Sequence, residues 1–427
     1  MIDINLVRNN FEEVKKNYEK RRNKTLISEL KDLRKLDEEW RVNKKKLDEL
    51  RHQKNNITKE IAQLKKENKD IRQKLVEAIK IPQEIGGLEE RVDQLKEKIN
   101  ELLLKLPNLL HPTVPYGKDE SENKELEKTG EIKEFNFKVK SHIELAEDLD
   151  LVDFDQAAKV TGNGFYYLKN ELALMEQALI KFAIDYLVKK GYCLITPPLM
   201  LRKRPYEGVT NLTDFEDTLY KIENDDLYLI ATSEHPIAAL HMNQILDEEK
   251  LPLKYIGISP CFRKEIGSHG IDEKGLFRVH QFNKIEQFIF CKPDDSEKLH
   301  EELIKNAEEI FKKLKIPFRK VNICTGDLGI VAAKKYDLEA WSSRQKKYIE
   351  VVSCSNCTDY QARRLNIQSG KYGGEKSLVH TLNSTAVATT RALVVILENY
   401  QQKDGSIKIP LILQSYMNGL KRIGGKK

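Results

Sequence analysis

Residues 253–290 read LKYIGISPCFRKEIGSHGIDEKGLFRVHQFNKIEQFIF, and this stretch decides how the larger part of the chain is understood. The apolar run at 253–258 suits a short strand. Phe262-Arg263-Lys264-Glu265 follows it, then a polar, glycine-rich loop at 267–275. The return limb, 277–286, alternates apolar and polar residues as a strand does. A strand–loop–strand with Arg263 and Arg278 on opposite limbs offers phosphates two planar, permanently charged forks. Phe282 has the flat face a base would stack on. The same residues equally suit a plain structural role, with Arg263 paired to Glu265 and Phe282 in the core. Both readings stand at this point.

Working outward, residues 171–190 carry apolar side chains at helical spacing (Leu174, Ala178, Phe182, Leu187), and Gly191 is placed to end that helix. Short strand-like runs at 192–195, 228–230 and 288–290 alternate with helices predicted over 296–314 and 389–400. Strands in hairpin-like succession with grouped helices predict an α+β domain on a largely antiparallel sheet.

The first 110 residues have another rhythm. Leu33, Leu36, Trp40, Asn43, Leu47, Leu50, Lys54, Ile57, Ile61 and Leu64 are spaced alternately by three and four, a heptad seam with two polar interruptions. Asn68-Lys69-Asp70 then suits a turn. A second seam runs Ile85, Leu88, Val92, Leu95, Ile99, Leu102 and Leu106, ended by Pro107, with Pro82 and Gly86-Gly87 expected to break the stretch between the seams. Two such helices predict an antiparallel hairpin over about 26–106, an arm of roughly 50–60 Å at 1.5 Å per residue. Arg41, Lys44, Lys45, Lys46, Arg51, Lys54 and Lys59 face only Asp48 and Glu49 between positions 41 and 59. Such a basic stripe fits a phosphate backbone, and equally the solvated face of a dimerisation coiled coil. Residues 111–160, punctuated by Pro112, Pro115 and Gly117 and then acidic, are expected to be a connector, leaving 161–427 as the second domain.

Composition narrows the classes. The 427 residues include 73 Lys+Arg against 67 Asp+Glu, a formal charge of +6, which permits a polyanionic partner without demanding one. Hydrophobic residues at 40% and charged residues at 33% suggest that part of the chain is extended and solvated. No run approaches the ~20 apolar residues of a membrane span, and the polar, charged opening predicts no secretory signal. Six Cys in a chain of this length do not make a disulfide scaffold, so a reducing cytoplasmic setting is expected. No G-x-x-x-x-G-K-[ST] loop and no G-x-G-x-x-G after a strand occurs. Cys354-Ser355-Asn356-Cys357 lacks the second ligand pair of a structural zinc site, so no zinc is predicted.

The order of the motifs resembles the class II aminoacyl-tRNA synthetases, specifically the seryl-tRNA synthetases of the archaeal/eukaryotic-like type. Motif 1 resembles about 172–198 and includes Gly191-Tyr192-Cys193-Leu194-Ile195-Thr196-Pro197-Pro198. Motif 2 resembles about 257–290. Motif 3 resembles about 380–400, with Leu382-Asn383-Ser384-Thr385 and Thr390-Arg391. Between them lie Ala231-Thr232-Ser233-Glu234-His235, Cys324-Thr325-Gly326-Asp327-Leu328-Gly329, Tyr336-Asp337-Leu338-Glu339-Ala340-Trp341 and the stretch from Glu350 to Asn356. The resemblance spans nearly the whole chain, the N-terminal hairpin included.

This resemblance implies a class II catalytic domain on an antiparallel sheet flanked by helices. It implies ATP-dependent activation of L-serine and transfer to the 3′-OH of the terminal adenosine of tRNA(Ser), and leaves open whether tRNA(Sec) is also an acceptor. Arg263, Glu286 and Arg391 would be catalytic. Arg263, Glu265, Arg278, Phe282, Glu350, Ser353 and Arg391 would bind ATP, and Glu350 with Ser353 would hold Mg²⁺. Thr232, Glu234, Arg263, Glu286, Asn383 and Thr385 would bind serine. Arg41, Lys44, Lys45, Arg51, Lys54 and Lys59 on the arm would touch tRNA. The implied protein is a cytoplasmic homodimer. Lys284 is left between loop electrostatics and ATP contact. His235, His280 and His380 are expected to be structural, as are Tyr336, Asp337 and Trp341. Two rivals remain: an adenylate-forming ligase loading a carrier protein, and a non-catalytic tRNA-binding paralogue.

Overall fold

The computed structural model describes residues 1–212, 216–265, 275–371 and 373–424, which form two compact units, Met1–Leu109 and Leu110–Lys427. The expected loop at 267–275 lies almost wholly outside the described residues.

In the first unit, helices α1 (Ile4–Asn9) and α2 (Phe11–Glu19) pack at the base of two long helices, α3 (Lys24–Lys66) and α4 (Arg72–Lys105). The Asn23 side chain caps α3 by accepting from the Thr25 amide, satisfying one of the orphan donors of the first turn. The 43 residues of α3 span about 65 Å. Asn68 takes a positive φ of 53° and the Lys69 amide donates to the Leu64 carbonyl, so the chain reverses at the predicted turn. Tyr18, Leu30, Leu33, Ile99, Leu103 and Leu106 form the base core, and Leu47, Ile81, Ile85 and Val92 a second cluster along the arm. Arg8 fastens α1 to α3 through a two-pronged bond to the buried Asp37. Glu39–Arg91, Arg51–Glu89 and Glu60–Lys74 cross between the long helices.

Two expectations for this unit are corrected. Pro82 and Gly86-Gly87 lie inside α4 and do not break it. Pro82 sits on the exposed face while Ile81 and Ile85 are buried beside it. Their burial offsets the ~3 kcal/mol a helix-interior proline costs. Lys54, placed in the first seam by spacing, is exposed, and the seam thins to half-buried Ile57, Ile61 and Leu64 towards the turn.

The second unit is built on one eight-stranded sheet. In chain order its strands are β1 (Lys124–Thr129), β2 (Cys193–Ile195), β3 (Leu253–Phe262), β4 (Gln281–Cys291), β5 (Phe318–Asn322), β6 (Lys334–Ser342), β7 (Lys347–Asn356) and β8 (His380–Ala388). Their spatial order is β1-β5-β6-β7-β8-β4-β3-β2, antiparallel throughout except for the β3–β2 pair. Residues 111–160 are therefore more than a connector: they supply edge strand β1 and the helices His142–Asp148 and Phe154–Thr161. The Lys-Glu-Leu-Glu-Lys-Thr strand is exposed along its length, so it carries no buried alternation to read.

One face of the sheet buries Ile285, Ile289, Leu338, Val352, Leu382 and Val387 against helices Asn170–Val188, Ser296–Lys313 and Thr389–Tyr400. Gly191, with φ +86°, ends the first of these as its position predicts. Phe288 and Phe290 belong to a second core with Tyr206, Tyr228, Ile237 and Leu365.

Candidate active site

Period-two alternation along β4 sends Phe282, Lys284 and Glu286 to one side and Ile285 and Ile289 to the helical core. Two bulges do the rest. On β7 the register steps from Leu338–Val352 to Glu339–Glu350, leaving Val351 as an extra residue. Glu350 and Ser353, three apart, would otherwise point to opposite faces; the bulge brings both to the cavity side, together with Ser355. On β8 Ala386 is the extra residue between Thr385 and Val387, and it brings Thr385 and Ala388 to one side in the same way.

The result is two adjoining cavities that share Arg263, Glu265, Lys284, Glu350, Ser353 and Thr385. The larger, about 490 Å³, is lined by Thr232, Glu234, Arg263, Glu286, Asn383 and Thr385, all six residues expected to bind serine. The smaller, about 150 Å³, is lined by Arg263, Glu265, Arg278, Phe282, Glu350, Ser353 and Arg391, all seven expected to bind ATP.

In the larger cavity, Asn383 Nδ2 donates to Glu234 Oε1 at 3.1 Å, and Gln361 Nε2 to the same oxygen at 3.2 Å. Thr385 Oγ1 donates to Glu286 Oε2 at 3.3 Å, and Lys284 Nζ lies 2.6 Å from that oxygen. Burial pushes the Glu286 carboxyl up, and Lys284 opposes it. Burial, with the nearby charge of Glu286, lifts Glu234 to about 7. Two carboxyls held above their usual range in one enclosure favour a cationic guest, which would restore their ionised form. Helix Glu234–Ala239 reaches the sheet because position 257 is glycine: a Cβ there would lie 2.5 Å from Ile237 Cδ1 and 2.6 Å from Ser233 Oγ.

In the smaller cavity, the Arg263 guanidinium lies 5.2 Å from the Phe282 ring centre and donates from Nε to the Ala231 carbonyl at 3.3 Å. Arg278 lies 3.9 Å from Glu265, so the anticipated Arg263–Glu265 pairing is replaced by one between the two limbs. Arg391 donates to the Glu350 carbonyl at 3.0 Å, lies 3.3 Å from its carboxylate and sits 5.1 Å from the Phe277 ring centre. Burial acts to raise Glu350, but Arg391 first and then Lys335 outweigh it and hold the carboxylate below its usual range.

Several neighbours were given no place in the site by sequence reasoning, His235 and His280 being expected to be structural. His235 lines the larger cavity, its Nδ1 2.9 Å from the Tyr206 hydroxyl, and burial lowers it to about 3, so it is neutral. His280 Nδ1 lies 2.7 Å from the Arg263 carbonyl and so helps to hold that residue's backbone. Lys335, Tyr206 and Cys357 also line the larger cavity. No sequence signal marks Lys335; the pairing of β6 with β7 brings it there. Cys354 and Cys357 are buried free thiols. Among the described residues no group of three or more His, Cys, Asp or Glu is placed to hold a metal ion, and no helix is long and apolar enough to cross a membrane.

On the arm, four of the six expected tRNA-binding residues make ion pairs. Arg41 lies 3.0 Å from Asp37, Lys44 2.8 Å from Asp48, Lys45 4.0 Å from Glu49 and Arg51 2.7 Å from Glu89. Lys54 and Lys59 are exposed.

A phosphate-ready cavity with paired arginines on an antiparallel sheet, joined to a polar amino-acid-sized chamber, defines a class II aminoacyl-tRNA synthetase core. Residues 217–400 match the class II tRNA synthetase core domain shared by the G, H, P, S and T enzymes, and residues 1–110 match the seryl-tRNA synthetase N-terminal domain. The chain belongs to the seryl-tRNA synthetase family. It is 52% identical over 422 residues to the serine–tRNA ligase of Methanocella arvoryzae, covering 98% of this chain and 99% of that one. It superposes on the crystal structure of Pyrococcus horikoshii seryl-tRNA synthetase complexed with ATP with a TM-score of 0.96, at 48% identity and full coverage of both chains. The cytoplasmic serine–tRNA ligase of Naegleria fowleri in complex with AMP gives a TM-score of 0.90 at 36% identity, over 100% of this chain and 99% of that one.

Proposed function

We propose that the chain activates L-serine with ATP and transfers it to the 3′-OH of the terminal adenosine of tRNA(Ser), with tRNA(Sec) as a second acceptor. The observation that carries this reading is the shared wall of the two cavities, where Arg263 borders both. A serine carboxylate held from one side and an α-phosphate from the other would meet there. A carboxylate oxygen attacks the α-phosphorus, the bond to the bridging oxygen breaks, and pyrophosphate leaves with that electron pair. The tRNA 3′-OH then attacks the carbonyl carbon and AMP departs. Both steps need positioning and charge neutralisation more than an acid or a base.

Arg263 would hold the serine carboxylate and the α-phosphate. Glu265 would read the adenine amino group, Phe282 would stack on the ring, and Arg391 would reach the outer phosphates. Arg278 on the return limb adds a second fork to the phosphate side. Thr232 and Glu234 would take the ammonium group. Glu286, Asn383 and Thr385 would take the hydroxyl end, and a pocket whose polar groups need that hydroxyl rejects analogues lacking it. Glu350 and Ser353 offer a deprotonated carboxylate and a hydroxyl on one side only, a hard-oxygen set that fits Mg²⁺ when phosphates complete the shell. Bound there, Mg²⁺ would neutralise phosphate charge. The basic residues of the arm would hold tRNA by its backbone, which positions without reading sequence. A cytoplasmic homodimer, with an N-terminal tRNA-binding domain at about 1–110 and a catalytic domain that takes in the 111–160 segment, belongs to this proposal.

Serine-dependent ATP–pyrophosphate exchange without tRNA tests it, with glycine, alanine, cysteine and threonine in parallel. Exchange with serine alone is expected. Exchange with another amino acid would overturn the roles given to Glu286 and Thr385. No exchange from folded protein with Mg²⁺ would point to a tRNA-binding paralogue.

A further inference from the structure

On β6, Lys335 and Asp337 are two residues apart and so present to the same side. The register places Lys335 opposite Ser355 and Asp337 opposite Ser353, both of which line the larger cavity. Lys335 lines it too. Its Nζ lies 3.2 Å from Asp337 Oδ2, while Asp337 Oδ1 is buried without a hydrogen-bond partner. An ammonium has three donors, and Asp337 uses one; no other hydrogen bond to it is made among the described residues. Burial alone would favour the neutral amine, yet the charges of Asp337 and then Glu350 outweigh it and keep Lys335 protonated. A cation is thus tethered at the wall of the larger cavity, opposite Ser355 and within reach of the charge of Glu350, which borders both cavities. Arg391, another cation near Glu350, is already bonded to that residue's carbonyl and paired with its carboxylate.

We propose that Lys335 is a positioning residue for the outer phosphates of the nucleotide and for the departing pyrophosphate, with Asp337 holding its ammonium at the cavity wall. As the α-phosphorus bond breaks, charge grows on the pyrophosphate, and a fixed ammonium in a partly dry site stabilises that charge without reorganising. This inference rests on the nucleotide reading of the site given above. The purely structural alternative, a lysine that only neutralises Asp337, makes a different prediction: it has no reason to distinguish ATP from AMP.

The test is calorimetric titration of the full-length protein with ATP and with AMP at fixed Mg²⁺, for wild type, Lys335→Met and Lys335→Arg. Lys335→Met is expected to weaken ATP about tenfold or more, the loss of one charge-assisted contact. AMP binding should stay within about twofold, since distant contacts are independent. Lys335→Arg should recover most of the ATP affinity. In the exchange assay, Lys335→Met should raise the KM for pyrophosphate more than the KM for serine. Equal weakening of ATP and AMP, or no weakening of either, overturns the proposal. If Lys335→Met does not fold, Asp337→Asn replaces it: the untethered ammonium should weaken ATP selectively, and a parallel loss of AMP overturns the proposal. If Lys335→Met weakens ATP but not AMP while the wild type shows no serine-dependent exchange, the serine reading fails and Lys335 keeps its role.

Discussion

The arm and the sheet are both rich in charge, and they hold it in opposite ways. Along α3 the basic residues are mostly exposed and paired with carboxylates mostly one helical turn away, as with Lys44–Asp48 and Lys45–Glu49. Each such pair contributes little to stability and exchanges partners readily, which would suit the proposed exchange of carboxylates for tRNA phosphates. Around β4 and β8 the charges have specific partners, buried in Lys284–Glu286 and half-buried in Arg391–Glu350 at the cavity mouth. Removing one there strands the other. The contrast teaches that the arm works by sum and the cavity by position.

The most severe test of that contrast is excision of residues 26–106. In protein shown to be folded, tRNA charging is expected to fall at least about a thousandfold, because the summed phosphate contacts vanish together. Serine-dependent pyrophosphate exchange should survive within about twofold if the two regions act independently, and normal charging would break the comparison outright. Next in size, Arg263→Ala is expected to lower kcat/KM for exchange by about 10²–10³, the usual cost of losing a group that stabilises developing charge. An unchanged melting temperature would show that position, not folding, was lost. Thr385→Val removes the hydroxyl that donates to Glu286 and should cost about tenfold in kcat/KM for serine while sparing the KM for ATP.

A pH series sharpens the cavity side further. Glu234 titrates near 7 in the folded protein, above its ordinary value, so folding takes up a proton there between those two pH values. The wild type is therefore progressively destabilised as pH rises from about 4.5 to 7, and the penalty is complete above 7. Glu234→Gln keeps the acceptor for Asn383 and Gln361 and escapes that penalty. It should be about 3 kcal/mol more stable than wild type at pH 8, with the advantage fading towards pH 4.5, at the expense of serine binding. A stability gain independent of pH in urea titrations would refute the assignment. Smallest of all, Lys44→Ala should change stability by less than about 0.5 kcal/mol. Its KM for tRNA should rise only about two- to threefold, with a shallower salt dependence.

Much of this architecture was legible in the residues. The seams of α3 and α4 and the alternation of β4 announce themselves because packing on one side imposes a period on the chain. Arg263, Glu286 and Arg391 stand out because motif order singles them out. What escaped reading has physical causes. Pro82 and the paired glycines look like breakers until the burial of Ile81 and Ile85 is known, since tertiary packing overrides local propensity. Edge strand β1 has no apolar alternation because neither of its faces is buried. Lys335 carries no motif; only the register against Ser355, visible once β6 and β7 are paired, brings it to the cavity.

The two bulges give the sheet something like a reading frame. On either side of Val351, and again of Ala386, the rule for which residues face inward is shifted by one, so that core and cavity are spelled in different phases of the same strand. Straightening the bulge at Val351 with every residue retained would rewrite the site, turning Glu350 towards Val352's side of the sheet and sending a carboxylate into hydrocarbon. In these strands a frameshift can happen in space, without any change to the identity of the residues that do the chemistry.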